Sequence, residues 1–272
     1  MVLPASAGLL LASALMPARA MRALQAQAGR QRGAGSARVS PRAAEISMPF
    51  PVGEKLDYRV GWSTFDDAAS VELAVPERRN LFGWTTWHFR AAIHTLHTVR
   101  TLFAIDDQFD SYTDASTLEC RQFEMYLNEL GKTESDVFRL VAAGQRSRAP
   151  GAAVIVLPGT RDPLGMLFTI RAVDWQRTPE LRLPVYDGRT LYEMRAHIEA
   201  ASDSVQVAAG SFLASRIAIS LFQNEKQETA IHFTVWIANN REKTPVQFAA
   251  ELPFGNLRVQ LTAANFGGAV ER

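Results

Sequence analysis

The chain has 272 residues, and 47% of them are hydrophobic and 9% aromatic, which is enough to build a sizeable core. A single cysteine, Cys120, excludes an intramolecular disulfide and gives no sign of a metal–thiolate site. The net charge of +1 is uneven: residues 21–45 hold five arginines against one glutamate, so residues 46–272 carry 23 basic and 27 acidic side chains. A mildly acidic domain has no electrostatic basis for binding nucleic acid, and we predict that it binds none.

The first 20 residues have the pattern of a secretory signal. An apolar run from Gly8 to Met16 precedes Ala18-Arg19-Ala20, a small-x-small site that predicts cleavage after Ala20 and export, most simply to a periplasm. Residues 21–48 lack periodicity and read as a disordered basic linker, although their arginines could also contact anionic lipid. No run approaches the ~20 apolar residues of a spanning helix, so we predict no transmembrane span in the mature protein.

Alternating apolar residues from Pro49 onward predict three successive antiparallel strands. Each strand places every second side chain on one face, namely Leu56, Tyr58, Val60 and Trp62, then Val71, Leu73 and Val75, then Trp87, Phe89, Ala91 and Ile93. Residues 76–80 read as a loop, residues 94–107 as a short helix, and residues 107–112 and 118–126 as strands. Residues 143–151 are predicted as a surface loop before a short apolar strand at 153–157.

Residues 162–171 form the clearest predicted helix. Asp162 is a good N-cap and Pro163 is favourable at the first helical position. The wheel that follows has no polar side, which indicates a buried helix. Strands resume afterwards at 181–186, 190–198, 205–207, 213–221, 231–237, 244–252 and 257–261, with Leu213 and Ile217 assigned to one face. We therefore predict a mainly β fold, a curved antiparallel half-barrel wrapped around one or two short helices, as a single domain at 49–264 with a flexible tail at 265–272.

Several short motifs follow one another along the chain: Gly53-Glu54-Lys55-Leu56-Asp57-Tyr58, residues 106–114, residues 162–171, Asp187-Gly188, and Trp236-Ile237-Ala238-Asn239-Asn240-Arg241 before Pro245-Val246. Their order resembles that of a bacterial exported family called domain of unknown function 3108. The resemblance spans residues 49–263 and implies a distant similarity to periplasmic lipoprotein carriers, whose half-barrel holds helices in its concave side. The pair at 239–240 departs from the family's commoner Asp-Arg-like pair. The resemblance carries over no catalytic residue.

Aromatic and apolar side chains are the candidate ligand-binding residues. We select Trp62, Trp87, Leu167, Phe168, Arg171 and Trp236. A half-barrel has a concave face, and any space that the helix leaves there can hold a ligand. Aromatic residues at alternating strand positions are equally typical of a core. Asp162 and Arg171, at the two ends of the helix, fit either capping or a gated rim.

Chemistry-bearing motifs are sparse. His94 and His97 stand three apart before Asp106, Asp107 and Asp110, but the spacing matches no established metal signature, so we predict no metal. The Gly-x-Ser-x-Gly elbow and glycine-rich phosphate loops are absent, and we predict no catalytic residue and no cofactor. Three functions stay open: a non-enzymatic binder of a lipid or lipoprotein segment, an envelope scaffold that pairs with other proteins through exposed sheet edges, and a hydrolase or metal enzyme.

Overall fold

The computed structural model describes residues 48–140, 157–223, 226–227, 232–252 and 255–267. The predicted signal peptide and linker, the loop at 143–151 and nearly all of the strand at 153–157 lie outside the described residues. The described part is mainly β, with thirteen strands and two short helices.

The strands and helices follow one another along the chain without a repeat. In the first half they are β1 Glu54–Trp62, β2 Phe65–Leu81, β3 Trp84–Thr95, α1 His97–Leu102, β4 Asp106–Asp114, β5 Cys120–Glu129 and β6 Lys132–Arg139. In the second half they are α2 Pro163–Ala172, β7 Glu180–Tyr186, β8 Leu191–Val207, β9 Gly210–Gln223, β10 Lys226–Gln227, β11 His232–Ala238, β12 Pro245–Leu252 and β13 Gly255–Phe266.

All strands belong to one antiparallel sheet. Its order is β6-β5-β4-β3-β2-β1-β13-β12-β11-β9-β8-β7, and the two-residue β10 pairs with β9. Among the described residues no ladder pairs the edge strands β6 and β7, and the rings of Phe138 and Tyr186 lie 6.0 Å apart between them. There, the Thr160 carbonyl accepts from the Cys120 amide and the Arg161 amide donates to the Pro184 carbonyl. The sheet is therefore a half-barrel that does not close, and the predicted fold is confirmed.

The predicted loop at 76–80 is wrong, because these residues continue β2. Glu77 pairs with His88 and Leu81 with Trp84, so the β2–β3 ladder runs to its turn. The loop was predicted because proline is normally excluded from a paired strand. Pro76 falls at the register shift between Ala74 and Glu77, where a bulge leaves a residue unpaired and the missing amide of proline costs no ladder hydrogen bond.

The β8–β9 hairpin is longer than predicted and bends. Its register shifts between Ile198 and Ala200 and again before Asp203, and such bulges bend a strand. The bend carries the hairpin tip to β13, where the Ala209 amide donates to the Leu261 carbonyl at 3.2 Å. Leu213, which was predicted to share a face with Ile217, is 62% exposed, whereas Ile217 is buried.

Candidate functional site

The start of α2 is held against the sheet by Asp162. Its carboxylate accepts from the Gly165 amide at 2.9 Å, as a helix N-cap does, and from the Ser111 hydroxyl on β4 at 2.7 Å. Asp162 is fully buried, and this burial raises the pKa of its carboxyl despite the hydrogen bonds that oppose the shift. The predicted capping role of Asp162 is thus observed.

The middle of α2 fills the concave side of the sheet. Phe168 stacks on Phe89 of β3 with ring centroids 3.6 Å apart, and Phe50 packs edge-on against it at 4.9 Å. Phe168 and Ile170 have no exposed surface, and Leu167 is 6% exposed. The space beside Leu167 and Phe168 is therefore occupied by the protein's own side chains.

Arg171, in the last turn of α2, forms a buried ion pair. Its guanidinium binds both oxygens of Glu54, at 2.6 and 2.9 Å, and the two side chains are 0% and 1% exposed. It also donates to the backbone carbonyls of Glu242 and Lys243 at 3.0 and 3.1 Å. Arg171 thus joins α2, the start of β1 and the β11–β12 turn, a role that neither capping nor a gated rim describes.

An open space begins where α2 ends. We name it the mouth cavity: it has a volume of about 700 Å³ and is bounded by residues 48–51, residues 171–176 and the turn at 239–243. Phe50 and Trp175 lie buried in its wall, Val173 and Phe266 are its partly exposed apolar side chains, and Arg241 and Lys243 bring positive charge. The Trp175 indole is fixed by donating to the Ile170 carbonyl at 3.0 Å.

Only some of the predicted ligand-binding residues come together. Phe50 contacts three of them. Its ring centroid lies 5.3 Å from that of Trp87, 4.9 Å from that of Phe168 and 5.2 Å from the guanidinium carbon of Arg171. Leu167 lies beside Phe168 on α2, and of the six residues only Arg171 lines the mouth cavity.

The two remaining tryptophans lie elsewhere. Trp62 ends β1, next to Phe65 and Phe103. Trp236 lies on the opposite face of the sheet, where its indole donates to Asp203 at 3.1 Å. A ligand-binding role for the six residues stays a prediction.

Sequence reasoning missed Phe50 and Glu54 as parts of this region. Glu54 begins a strand at an exposed-looking Gly53-Glu54 pair, and nothing near it in sequence indicates a partner 117 residues away. Phe50 stands between Pro49 and Pro51 outside any strand, so periodicity gives no signal for its burial. The one available signal is that an isolated aromatic residue precedes the first strand.

The histidine and aspartate residues do not converge on one centre. His94 lies on β3, His97 begins α1, and His94 contacts Asp106 at 2.9 Å. Hydrogen bonds from Arg100 and then from His94 lower the pKa of Asp106 to about 2. Within the described ranges, no three His, Cys, Asp or Glu side chains are placed to hold a metal ion.

Cys120 is buried and its thiol hydrogen-bonds to Asp162. Burial raises the pKa of this thiol well above its usual value, so it is a poor nucleophile. No helix in the part of the chain that the structure describes is long and apolar enough to cross a membrane.

A family profile described as a protein of unknown function, DUF3108, matches residues 57–262. The chain belongs to the DUF3108 family. The match runs from Asp57 in β1 to Thr262 in β13 and includes α2 and Arg171, whereas Glu54 at the start of β1 and residues 48–51 of the mouth cavity lie before it. A comparison with curated proteins gives no match.

One solved structure shares the fold at very low sequence identity. The crystal structure of a beta-barrel-like protein of DUF1849 from Brucella abortus matches with a TM-score of 0.55 at 9% identity, covering 80% of this chain and 99% of that one. At this identity the likeness shows a shared fold and no activity. An exported protein with a YmcC-like fold from Bacteroides fragilis matches with a TM-score of 0.36, and a lipoprotein from Parabacteroides distasonis with 0.38. Each of these two is 9% identical and covers 82% of this chain and 100% of its own.

Proposed function

We propose that this DUF3108 protein is exported to the cell envelope and binds an amphiphilic molecule, a lipid or the acylated segment of a lipoprotein, in the mouth cavity. The observation that carries the proposal is the cavity itself, the space left where α2 stops filling the half-barrel. Export rests on the apolar run and small-x-small site at 8–20. The protein acts as a binder and performs no covalent chemistry.

The size of the mouth cavity and the apolar part of its lining support this ligand class. Small-molecule sites are usually concavities of about 300–1,000 Å³. The cavity has about 700 Å³, and the partly exposed side chains of Val173 and Phe266 offer apolar surface to an acyl chain. Burying a chain of several methylenes there would contribute about 0.8 kcal/mol per methylene.

The rim of the cavity carries charged side chains that could bind a polar head group. Arg241 and Lys243 lie on the β11–β12 turn, and among the described residues neither side chain has an ion-pair partner. A phosphate or carboxylate head group could accept hydrogen bonds from them while its chain lies against Val173 and Phe266. Asp174 and Glu242 also line the cavity, which limits the excess of positive charge and disfavours polyanions.

Native mass spectrometry of the purified chain and a titration with a fluorescent phospholipid analogue test the proposal. Val173 lines the cavity and is partly exposed, so Val173→Arg fills the space from its wall. We expect this variant to weaken binding by about tenfold or more, because a bulky charge displaces the chain. The control is Leu102→Arg, at a position that is 58% exposed on α1 outside the cavity, which should bind as the unmodified chain does. Absence of both copurified lipid and analogue binding in the unmodified chain would disprove the proposal.

A second function, protein interaction, is favoured by the tip of the β2–β3 hairpin. Phe82 is 63% exposed and Trp84 45% exposed, and the guanidinium groups of Arg139 and Arg121 cover one face of each ring. Aromatic and arginine side chains dominate the energetics of protein interfaces. Crosslinking in envelope extracts that depends on Phe82 and Trp84, and copurification without lipid, would support this function over the first.

A further inference from the structure

A second concavity lies on the polar face of the sheet, opposite the packed core. We name it the outer groove. It has a volume of about 1,100 Å³ and crosses β1, β13, β12, β11, β9 and β8. Its floor contains small side chains in register: Ala218 pairs with Thr234, Thr234 with Ala249, and Ala249 with Arg258. Small floor residues make the groove deep, but they do not identify a ligand.

The wall of the groove carries a fixed aromatic ring. Trp236 is partly buried, and its indole donates to Asp203 on the bent part of β8. Arg216 contacts the same Asp203 at 3.4 Å and Glu199 at 3.3 Å, so the carboxylate that holds the indole is itself held. The ring is thus pre-organised, which reduces the entropy lost when a ligand packs on it.

Much of the remaining lining presents hydrogen-bonding groups that the protein does not use. Among the described residues, the side chains of eight lining residues have no hydrogen bond or ion pair: Ser63, Asp66, His197, Ser220, Thr234, Glu251, Asn256 and Arg258. They include hydrogen-bond donors, hydrogen-bond acceptors and hydroxyl groups, and a hydroxyl group both donates and accepts. A ligand that satisfies them must offer both donors and acceptors along its length.

The charge of the groove points to a neutral ligand. Asp67 pairs with Arg59 at 3.2 Å, and Glu199 pairs with Arg216 outside the groove. The groups left are Asp66 and Glu251 against Arg258, nearly balanced. A polyanion would meet uncompensated carboxylates, and an acyl chain would desolvate unsatisfied polar groups at a cost of about 1–3 kcal/mol each.

We infer that the outer groove binds an oligosaccharide. A sugar chain is neutral and carries hydroxyls that both donate and accept, and its C–H faces pack on an aromatic ring. It would stack on Trp236 and hydrogen-bond to groups such as Glu251, Asn256 and Arg258. This site is separate from the mouth cavity and does not depend on the amphiphile proposal.

Isothermal titration of the whole chain with maltohexaose, cellohexaose and chitohexaose tests the inference. We expect at least one of these hexasaccharides to bind with a Kd of about 1 mM or tighter. Trp236→Ala should weaken binding about tenfold through loss of the stacking surface. Ala249→Arg, which fills the floor from the solvent side, should abolish binding while leaving the thermal unfolding midpoint nearly unchanged. Leu102→Arg, at an exposed position of α1 outside both the outer groove and the mouth cavity, is the control and should bind the hexasaccharide normally.

Three results would overturn the inference. The first is that none of the three hexasaccharides binds the unmodified chain. The second is that Ala249→Arg binds a hexasaccharide as well as the unmodified chain does. The third is that the chain binds hexalysine at the groove and no hexasaccharide, which would assign the groove to a cationic peptide instead.

Discussion

The middle and the C-terminal end of α2 differ sharply in how they meet the sheet. Phe168 is enclosed by Phe89 and Phe50, whereas only five residues later Val173 borders a cavity of about 700 Å³. The boundary between the two regions is the Arg171–Glu54 ion pair. The helix therefore acts as a fixed filler of the half-barrel, and a ligand must use the space at its end. Three sets of substitutions in and around α2 test this contrast, and a fourth experiment tests a buried carboxylate on β4.

The largest loss of stability is expected from removing the Arg171–Glu54 ion pair. Arg171→Met leaves the Glu54 carboxylate buried without its partner, and such orphaned charges cost about 3–5 kcal/mol. We expect a loss near the upper end of this range in urea unfolding, because both side chains have almost no exposed surface. The double variant Arg171→Met with Glu54→Leu should recover much of the loss. A single variant as stable as the unmodified chain would contradict the account.

Shortening a side chain on either side of the Arg171–Glu54 ion pair tests whether the two regions of α2 differ in packing. Phe168→Ala removes a ring enclosed on both faces and should reduce the free energy of unfolding by about 4 kcal/mol, since the void cannot collapse fully. Val173→Ala, at the edge of the mouth cavity, should cost less than about 1 kcal/mol. Equal losses at the two positions would show that the interior beside Phe168 is not closely packed.

The N-terminal end of α2 should be less critical. Asp162→Ala removes the N-cap and the acceptor for Ser111, with an expected cost of about 1–2 kcal/mol in the same unfolding assay. Asp162→Asn keeps an oxygen acceptor for the Gly165 amide and removes the buried charge, so it should stay close to the unmodified chain. A larger loss for asparagine than for alanine would contradict the capping role.

A pH effect is expected from Asp107 on β4, outside α2. Burial, opposed by the Asn128 amide and reinforced by Glu129 and Asp106, raises the pKa of Asp107 to about 7 from 3.8. The folded chain then keeps a proton that the unfolded chain releases, so stability falls as pH rises from about 4 to about 7 and does not recover above it. Asp107→Asn should lose less stability than the unmodified chain between pH 5 and pH 8. An identical pH dependence in both proteins would exclude the effect.

Local signals in the sequence were sufficient for the fold and for α2. Alternation identified β1 and β3, and Asp162-Pro163 marked the helix start, because capping and proline effects act within one turn. Strand β6 was missed, since an exposed edge strand such as Lys132–Arg139 has almost no apolar alternation. The mouth cavity could not be predicted, because Glu54, Arg171 and Lys243 meet only after long stretches of chain have folded.

Amide hydrogen exchange of α2, followed by NMR in the native state, tests the central claim most directly. If α2 is a fixed, closely packed filler, the amides of Phe168, Thr169 and Ile170 should exchange only through global unfolding, with protection equal to that of the most stable strands. Exchange of these amides many times faster than that of β1 and β13 would show that α2 opens by itself and would contradict the account.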